Sequence, residues 1–178
     1  MSATVNQRTP IYNGRVFLLV RENVTLDNGV TTDLDYIEHP GAAAIVPLIT
    51  ANEVVLIKQY RHALRQYIWE IPAGTLDPDE PVMDCARREL IEETGYAAGV
   101  WQKLGEITAV PGYSDERIHL FLATELTAAR QELDADEVLA VHRMPLTQAL
   151  EMITRGDIQD AKSICGLLLA QKWLERHF

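Results

Sequence analysis

Residues 74–96 read GTLDPDEPVMDCARRELIEETGY, and this stretch decides the fold. Its periodicity predicts a helix from about residue 80 to 94, and Gly95 follows where a left-handed C-terminal position would end it. Glu89, Glu92 and Glu93 stand at i, i+3 and i+4 on that helix. At 100° per residue they share an arc about 100° wide. Like charges so placed destabilise a helix by roughly 0.2–0.5 kcal/mol per pair. A cation that gathered them would offset that cost, and carboxylate oxygens suit hard ions such as Mg2+ or Mn2+.

Three glutamates on a helix are most often a solvated face. The surroundings favour a site instead. Met83, Ala86, Leu90 and Ile91 are expected on a different arc, as the core side. Pro72, Gly74 and Asp77-Pro78-Asp79 predict a rigid loop entering the helix. Asp77 or Asp79 is the expected cap, with Pro78 or Pro81 in the first turn.

The stretch resembles the Nudix box, a pattern of Gly, Glu, Arg-Glu, an apolar residue, Glu-Glu and Gly at set spacings. Gly74, Glu80, Arg88, Glu89, Glu92, Glu93 and Gly95 meet every fixed position, and Leu90 and Tyr96 the apolar ones. Chance would produce this in roughly one window in a billion at average composition. The resemblance implies hydrolysis of a nucleoside diphosphate linked to another group. It implies Glu89 and Glu93 as direct ligands of Mg2+, or of Mn2+, with the backbone carbonyl of Ala73. Glu92 is then a ligand, direct or through water. Glu80 supports this set, and Arg88 orients carboxylates. For the general base the resemblance points to the acidic stretch 132–140, with Glu137 first and Asp134 and Glu132 behind it. Glu92 or Glu93 is the alternative base.

Outward from the box, further segments resemble ADP-ribose pyrophosphatases. Pro111 lies sixteen residues after Gly95, within Pro111-Gly112-Tyr113-Ser114-Asp115-Glu116. His39-Pro40-Gly41-Ala42, Lys58-Gln59-Tyr60-Arg61 and Trp69-Glu70-Ile71-Pro72-Ala73-Gly74 add to the likeness. It covers roughly residues 12–175. Arg61, Trp69, Glu70, Tyr113, Ser114 and Glu116 are therefore expected against the substrate. Four of them have a plainer alternative: Arg61 paired with a surface acid, Glu116 a strand-edge charge, Trp69 and Tyr113 core aromatics. His119, among apolar strand residues, reads as structural. His39 has no evident partner. GDP-mannose or another nucleotide sugar is the runner-up substrate. A nucleotide sensor without turnover is a further alternative, disfavoured because all three box carboxylates are present.

Apolar runs and turn signals organise the rest. Residues 1–10 are expected to fray. Strands are predicted over 15–26 and 30–38, joined at Asp27-Asn28-Gly29, then over 42–49 and 54–60. Further strands follow at 69–71, 100–108, 117–126 and 138–144, and helices at 146–155 and 160–176. This order predicts an α/β fold with a mixed sheet between helices. The resemblance implies the same Nudix-type α/β/α sandwich. It also implies an N-terminal β-hairpin extension over 1–40 that joins two copies into a homodimer, before a catalytic domain over 41–178.

The chain has 178 residues and a net charge of −10, without a basic stretch. Such a balance argues against a nonspecific nucleic-acid surface. Cys85 and Cys165 are too few for a disulfide framework and are expected to be buried or half-buried. With no signal pattern at the start and no apolar run long enough for a bilayer, the expected location is the cytoplasm.

Overall fold

The computed structural model describes residues 3–133, 135 and 137–177. The chain divides into two compact units. One comprises residues up to Gly41 with Thr108–Arg117; the other comprises Ala42–Ile107 and Ile118 onward.

In the first unit, β1 (Thr4–Asn13), β2 (Leu18–Thr25) and β3 (Thr31–Glu38) form an antiparallel meander in that order. The Asp27-Asn28-Gly29 turn lies where the composition placed it, with Gly29 at φ 83°. Asn28 Oδ1 accepts the Val30 N–H at 3.0 Å, the local bond that favours Asn in such turns. Residues 4–10 are not frayed as expected. β1 pairs with β2 from Thr4↔Thr25 to Asn13↔Leu18, and Arg8 reaches Glu38 on the far strand at 2.6 Å. Nothing local signals this strand, which is exposed along its whole length; its partner supplies the order. The segment Thr108–Arg117 joins the meander through β3. Ile37 N–H donates to the Tyr113 carbonyl at 2.8 Å, and Asp115 N–H to the Ile37 carbonyl at 3.1 Å.

The second unit is built on β4 (Ala42–Thr50), β5 (Glu53–Arg61), β6 (Gln66–Glu70), β7 (Ala73–Thr75), β8 (Tyr96–Ile107), β9 (Ile118–Ala128) and β10 (Leu139–Pro145). The sheet runs β10-β5-β4-β9-β8, with β6 beside β5 and β7 beside β4. β4 pairs parallel with β9 and the other pairings are antiparallel, so the sheet is mixed. Ala42–Leu48 is almost unbroken in apolar character and buried throughout. Such a run marks a strand covered on both faces. Helix α1 (Val82–Thr94) packs Cys85, Ala86 and Leu90 against Ala43, Ile45, Phe121 and Ala123. The opposite face of β4 meets α3 (Ala161–His177): a Cβ on Gly166 would lie 3.2 Å from Val46 and 2.8 Å from Ile71, so only glycine lets this helix approach so closely. α2 (Leu146–Arg155) precedes α3, and Gly156 caps it at φ 80°. The result is the α/β/α sandwich that the strand and helix order predicted.

Two details of α1 differ from the sequence reading. Neither Asp77 nor Asp79 caps it: the N-cap is Pro81, with no side-chain bond to the first turn. Asp79 takes φ 61° in the entering turn, and Glu80 spends one carboxylate oxygen on the Asp77 N–H. Nor do core and carboxylates occupy separate arcs. Cys85, Ala86, Glu89, Leu90 and Glu93 are all buried, on one arc about 140° wide with the two glutamates inside it. Cys85 joins the core, while Met83 and Ile91, expected there, are only half-buried. Gly95 ends the helix at φ 71°, its N–H on the Ile91 carbonyl, as its position foretold.

Candidate active site

The box helix brings its acids to the β7 edge because Gly74 leaves room there. A Cβ at Gly74 would lie 1.8 Å from the carboxyl carbon of Glu89. Glycine is therefore required by the close approach of a carboxylate, not by the turn. One residue earlier, the Ala73 N–H donates to Glu93 Oε2 at 2.8 Å. β7 thus seats both buried glutamates, one over Gly74 and one on the Ala73 amide.

Arg88 gathers three of the acids. It donates to both oxygens of Glu80 at 2.9 Å, to Glu89 Oε1 at 2.6 Å and to Glu92 Oε2 at 3.0 Å. It also reaches the Thr75 carbonyl at 3.3 Å. The planar fork suits this role, since one guanidinium can hold several carboxylates in fixed directions. The Arg88 bond holds Glu80 far below the usual carboxylate range, at about 2. The same acids hold Arg88 more firmly protonated, Glu80 foremost.

Glu89 and Glu93 go the other way. Burial pushes Glu89 up to about 7, despite Arg88, with Glu92 and Glu137 adding repulsion. Burial pushes Glu93 up to about 8, with Glu89 and Glu137 repelling it and the Ala73 bond only partly compensating. Glu137 therefore lies within electrostatic reach of both. Two adjacent carboxylates so destabilised as anions are short of positive charge. Among the described residues, no three Asp, Glu, His or Cys groups converge closely enough to grip an ion as placed, since Arg88 draws Glu89 and Glu92 to itself. The donor chemistry nonetheless fits a hard divalent cation: oxygens only, two of them buried and electrostatically unpaid.

Arg61 is the cation among the residues expected against the substrate. It pairs with Glu70, not with a surface acid, through Nε at 2.7 Å and Nη2 at 3.2 Å. Its charge also feels Glu93. Glu70 is almost fully buried. Burial pushes its carboxyl up, but Lys162 and Arg61 outweigh that and leave it below the ordinary value. Neither Lys162 nor Asp160, which accepts from Lys162 at 3.2 Å, was legible as part of this cluster. Asp160 did stand at the start of the last predicted helix, and it caps it by accepting the Ser163 N–H at 2.9 Å.

Trp69 follows the opposite face of β6 from Glu70. It meets the His142 ring edge-on at 4.7 Å, with Lys58 Nζ 5.4 Å from its centroid. Tyr113, Ser114 and Glu116 belong to the first unit. There Tyr113 is exposed, Ser114 Oγ accepts the Glu116 N–H at 3.2 Å, and Glu116 lies 3.8 Å from His39. His39 thus has partners: its Nδ1 also accepts the Gly41 N–H at 3.0 Å. His119 Nδ1 lies 3.2 Å from Glu106, across the β8–β9 pair, in keeping with a structural role. Of the candidate bases, Glu132 donates its N–H to the Glu92 carbonyl at 3.2 Å, which ties the acidic stretch to the end of the box helix. Asp134 lies outside the described residues. Cys85 is buried and Cys165 half-buried, as expected.

Comparison with known proteins identifies the family. The NUDIX domain model matches residues 38–167. An ADP-ribose pyrophosphatase of Bacillus subtilis is 40% identical over 90% of this chain and 88% of its own length. A GDP-mannose pyrophosphatase of Escherichia coli O1:K1 / APEC is 36% identical over 82% of this chain and 90% of its own. A crystal structure of an ADP compounds hydrolase superposes with a TM-score of 0.87 at 25% identity, over 99% of this chain and 96% of the other. A domain match spanning most of the chain, on a helix whose buried glutamates and clamping arginine stand at the box positions, means that the chain belongs to the Nudix family and is a Nudix hydrolase.

Proposed function

We propose that the enzyme cleaves the pyrophosphate bond of a nucleoside diphosphate sugar with a bound divalent metal, and that ADP-ribose, giving AMP and ribose 5-phosphate, is its main substrate. The observation that carries the chemistry is the pair Glu89 and Glu93, buried side by side and driven toward the neutral form by burial. The choice of sugar is supported by the Bacillus subtilis relative and by Pro111 with the residues that follow it.

Glu89, Glu93, Glu92 and the Ala73 carbonyl would hold Mg2+, or Mn2+ in its place. Bound there, the metal supplies charge neutralisation on the diphosphate and lowers the pKa of an attacking water. The chain's own groups do the rest. Arg88 keeps Glu80, Glu89 and Glu92 from recoiling from one another. The Ala73 amide fixes Glu93. Glu137, close enough to raise both buried acids, is the leading general base. Arg61 offers its fork to the diphosphate. Trp69, Glu70, Tyr113, Ser114 and Glu116 take substrate roles by family resemblance, Glu70 through its grip on Arg61.

The reading extends to a cytoplasmic homodimer joined through the N-terminal strands. Its support is β1, where Val5, Ile11 and Tyr12 are half or more exposed. Light scattering at micromolar concentration should give twice the chain mass. A fully active monomer would remove this part of the reading.

The deciding experiment compares kcat/KM for ADP-ribose and GDP-mannose at one Mg2+ concentration, scoring released nucleoside monophosphate, with a chelator control. A tenfold preference for GDP-mannose, about 1.4 kcal/mol of transition-state binding, would reverse the ranking that the Escherichia coli relative keeps open. Full activity in excess chelator would remove the metal from the reading.

A further inference from the structure

The first turn of α3 is bolted to the two residues that lead into the box. Ser163 Oγ accepts the buried Ile71 N–H at 2.8 Å. Lys162 Nζ donates to Glu70 Oε1 and, at 3.2 Å, to Asp160 Oδ2. Two side chains therefore tie the helix start to the segment 70–73. That segment ends at Ala73, whose amide holds Glu93.

Lys162 is nearly as buried as the acid it serves, with 12% of its side chain exposed against 3% for Glu70. A lysine withdrawn from water needs a reason, since its charge is costly to bury. Glu70 already has a bidentate partner in Arg61, and one guanidinium is enough to satisfy a carboxylate. The second cation changes the charge of the cluster. Arg61 and Lys162 balance Glu70 and Asp160. Without Lys162 the group carries a net negative charge within reach of Glu93. Arg61 would then be held wholly by acids, and an anionic ligand would meet repulsion. With Lys162 in place, Glu70 fixes two of the guanidinium's five N–H donors. The others stay on a side chain that is 39% exposed.

We propose that Lys162 is a positioning residue: by neutralising Glu70 from the buried side, it frees and aims Arg61 for the diphosphate of the substrate. This rests on the reading of Arg61 as a diphosphate contact. The bonds Lys162 makes go to Glu70 and Asp160, and it acts on Arg61 through Glu70.

A double-mutant cycle tests this on the full-length protein with ADP-ribose and Mg2+. Lys162→Met should lower kcat/KM at least tenfold, chiefly through KM, and Lys162→Arg should restore most of it. In an Arg61→Ala background, Lys162→Met should cost less than twofold, because the residue it positions is already gone. Equal losses in both backgrounds, or a loss in kcat alone, would overturn the proposal. If Lys162→Met does not fold, Lys162→Gln, which keeps a donor for Glu70 but carries no charge, replaces it in the cycle. Collapse of both would make Lys162 a stability residue and overturn the proposal too. A wild-type enzyme inert toward ADP-ribose would fail the functional reading at the first measurement, before the cycle is run.

Discussion

Two arginines show how differently the two units use one kind of bond. Arg21, in the N-terminal meander, grips Asp35 across β2 and β3 with two bonds of 2.7 and 2.8 Å. Arg88, on the box helix, grips Glu80 with two bonds of 2.9 Å. The geometry is nearly the same. The surroundings are not: both partners of the first pair are about half exposed, while Glu80 is 14% exposed and Arg88 reaches on to Glu89 and Glu92. Along the meander, Asn23–Asp33 and Thr25–Thr31 continue the polar ladder, each pair in direct register. Such a ladder sets register and keeps a sheet face wet. Inside the sandwich, charges are few, shared and partly withdrawn from water, so each changes the ionisation of the next. A salt bridge teaches function only where water cannot screen it.

The sharpest way to break this contrast is Glu93→Gln. The amide oxygen can still accept from Ala73, so circular dichroism and the unfolding midpoint should stay near wild type. Activity with Mg2+ should fall by at least ~10²-fold, the upper end of what even indirect changes at metal sites cost. Retained turnover would reduce the buried pair to packing.

Gly74→Ala comes next. The new Cβ would fall on the Glu89 carboxylate, the far end of a flexible side chain, so the acid should swing aside and the strand should hold. A loss of about 10-fold or more in kcat/KM is expected, with Tm little changed. A large fall in Tm with normal kcat/KM in the folded fraction would mean that Gly74 serves the backbone instead.

Glu80→Gln separates the clamp from the chemistry. Arg88 depresses the Glu80 carboxyl from 4.5 to about 2. A depressed carboxylate contributes stability that is full above its unfolded pKa and is lost as pH falls through its folded one. The wild type should therefore lose part of its stability between about pH 4.5 and 2, and the variant should show a flatter curve there. Denaturant melts across that range check it; parallel curves would cut the link between Glu80 and Arg88.

The smallest effect belongs to the meander. Arg21→Ala should barely move the unfolding midpoint, and less at high salt, because the pair is exposed and screened. Its kcat/KM should match wild type. A larger loss, insensitive to salt, would erase the distinction between the two units.

Much of this was written locally. The box helix, its Gly95 terminus, the Asn28-Gly29 turn and the apolar strand β4 follow from spacing and residue type within a few positions, and so does the grip of Arg88 on neighbouring carboxylates. The errors were local too. Helical periodicity placed Met83, Ala86, Leu90 and Ile91 in the core but could not tell that Glu89 and Glu93 share that buried face, because charge alone argues for water. Proline and aspartate before the helix suggested a side-chain cap, and a turn at Asp79 spent those groups otherwise.

What tertiary structure alone decided lies in pairs far apart in the chain. β1 is ordered by β2, Thr108–Arg117 by β3, and Glu70 by Lys162, 92 residues away. A residue's own neighbours set its backbone preference and its face, because those act within a turn or a strand. Which distant charge it meets, and whether water is excluded when it does, is set by how the sheet and its helices pack, and that packing turns a run of glutamates into acids pushed up to about 7 and 8.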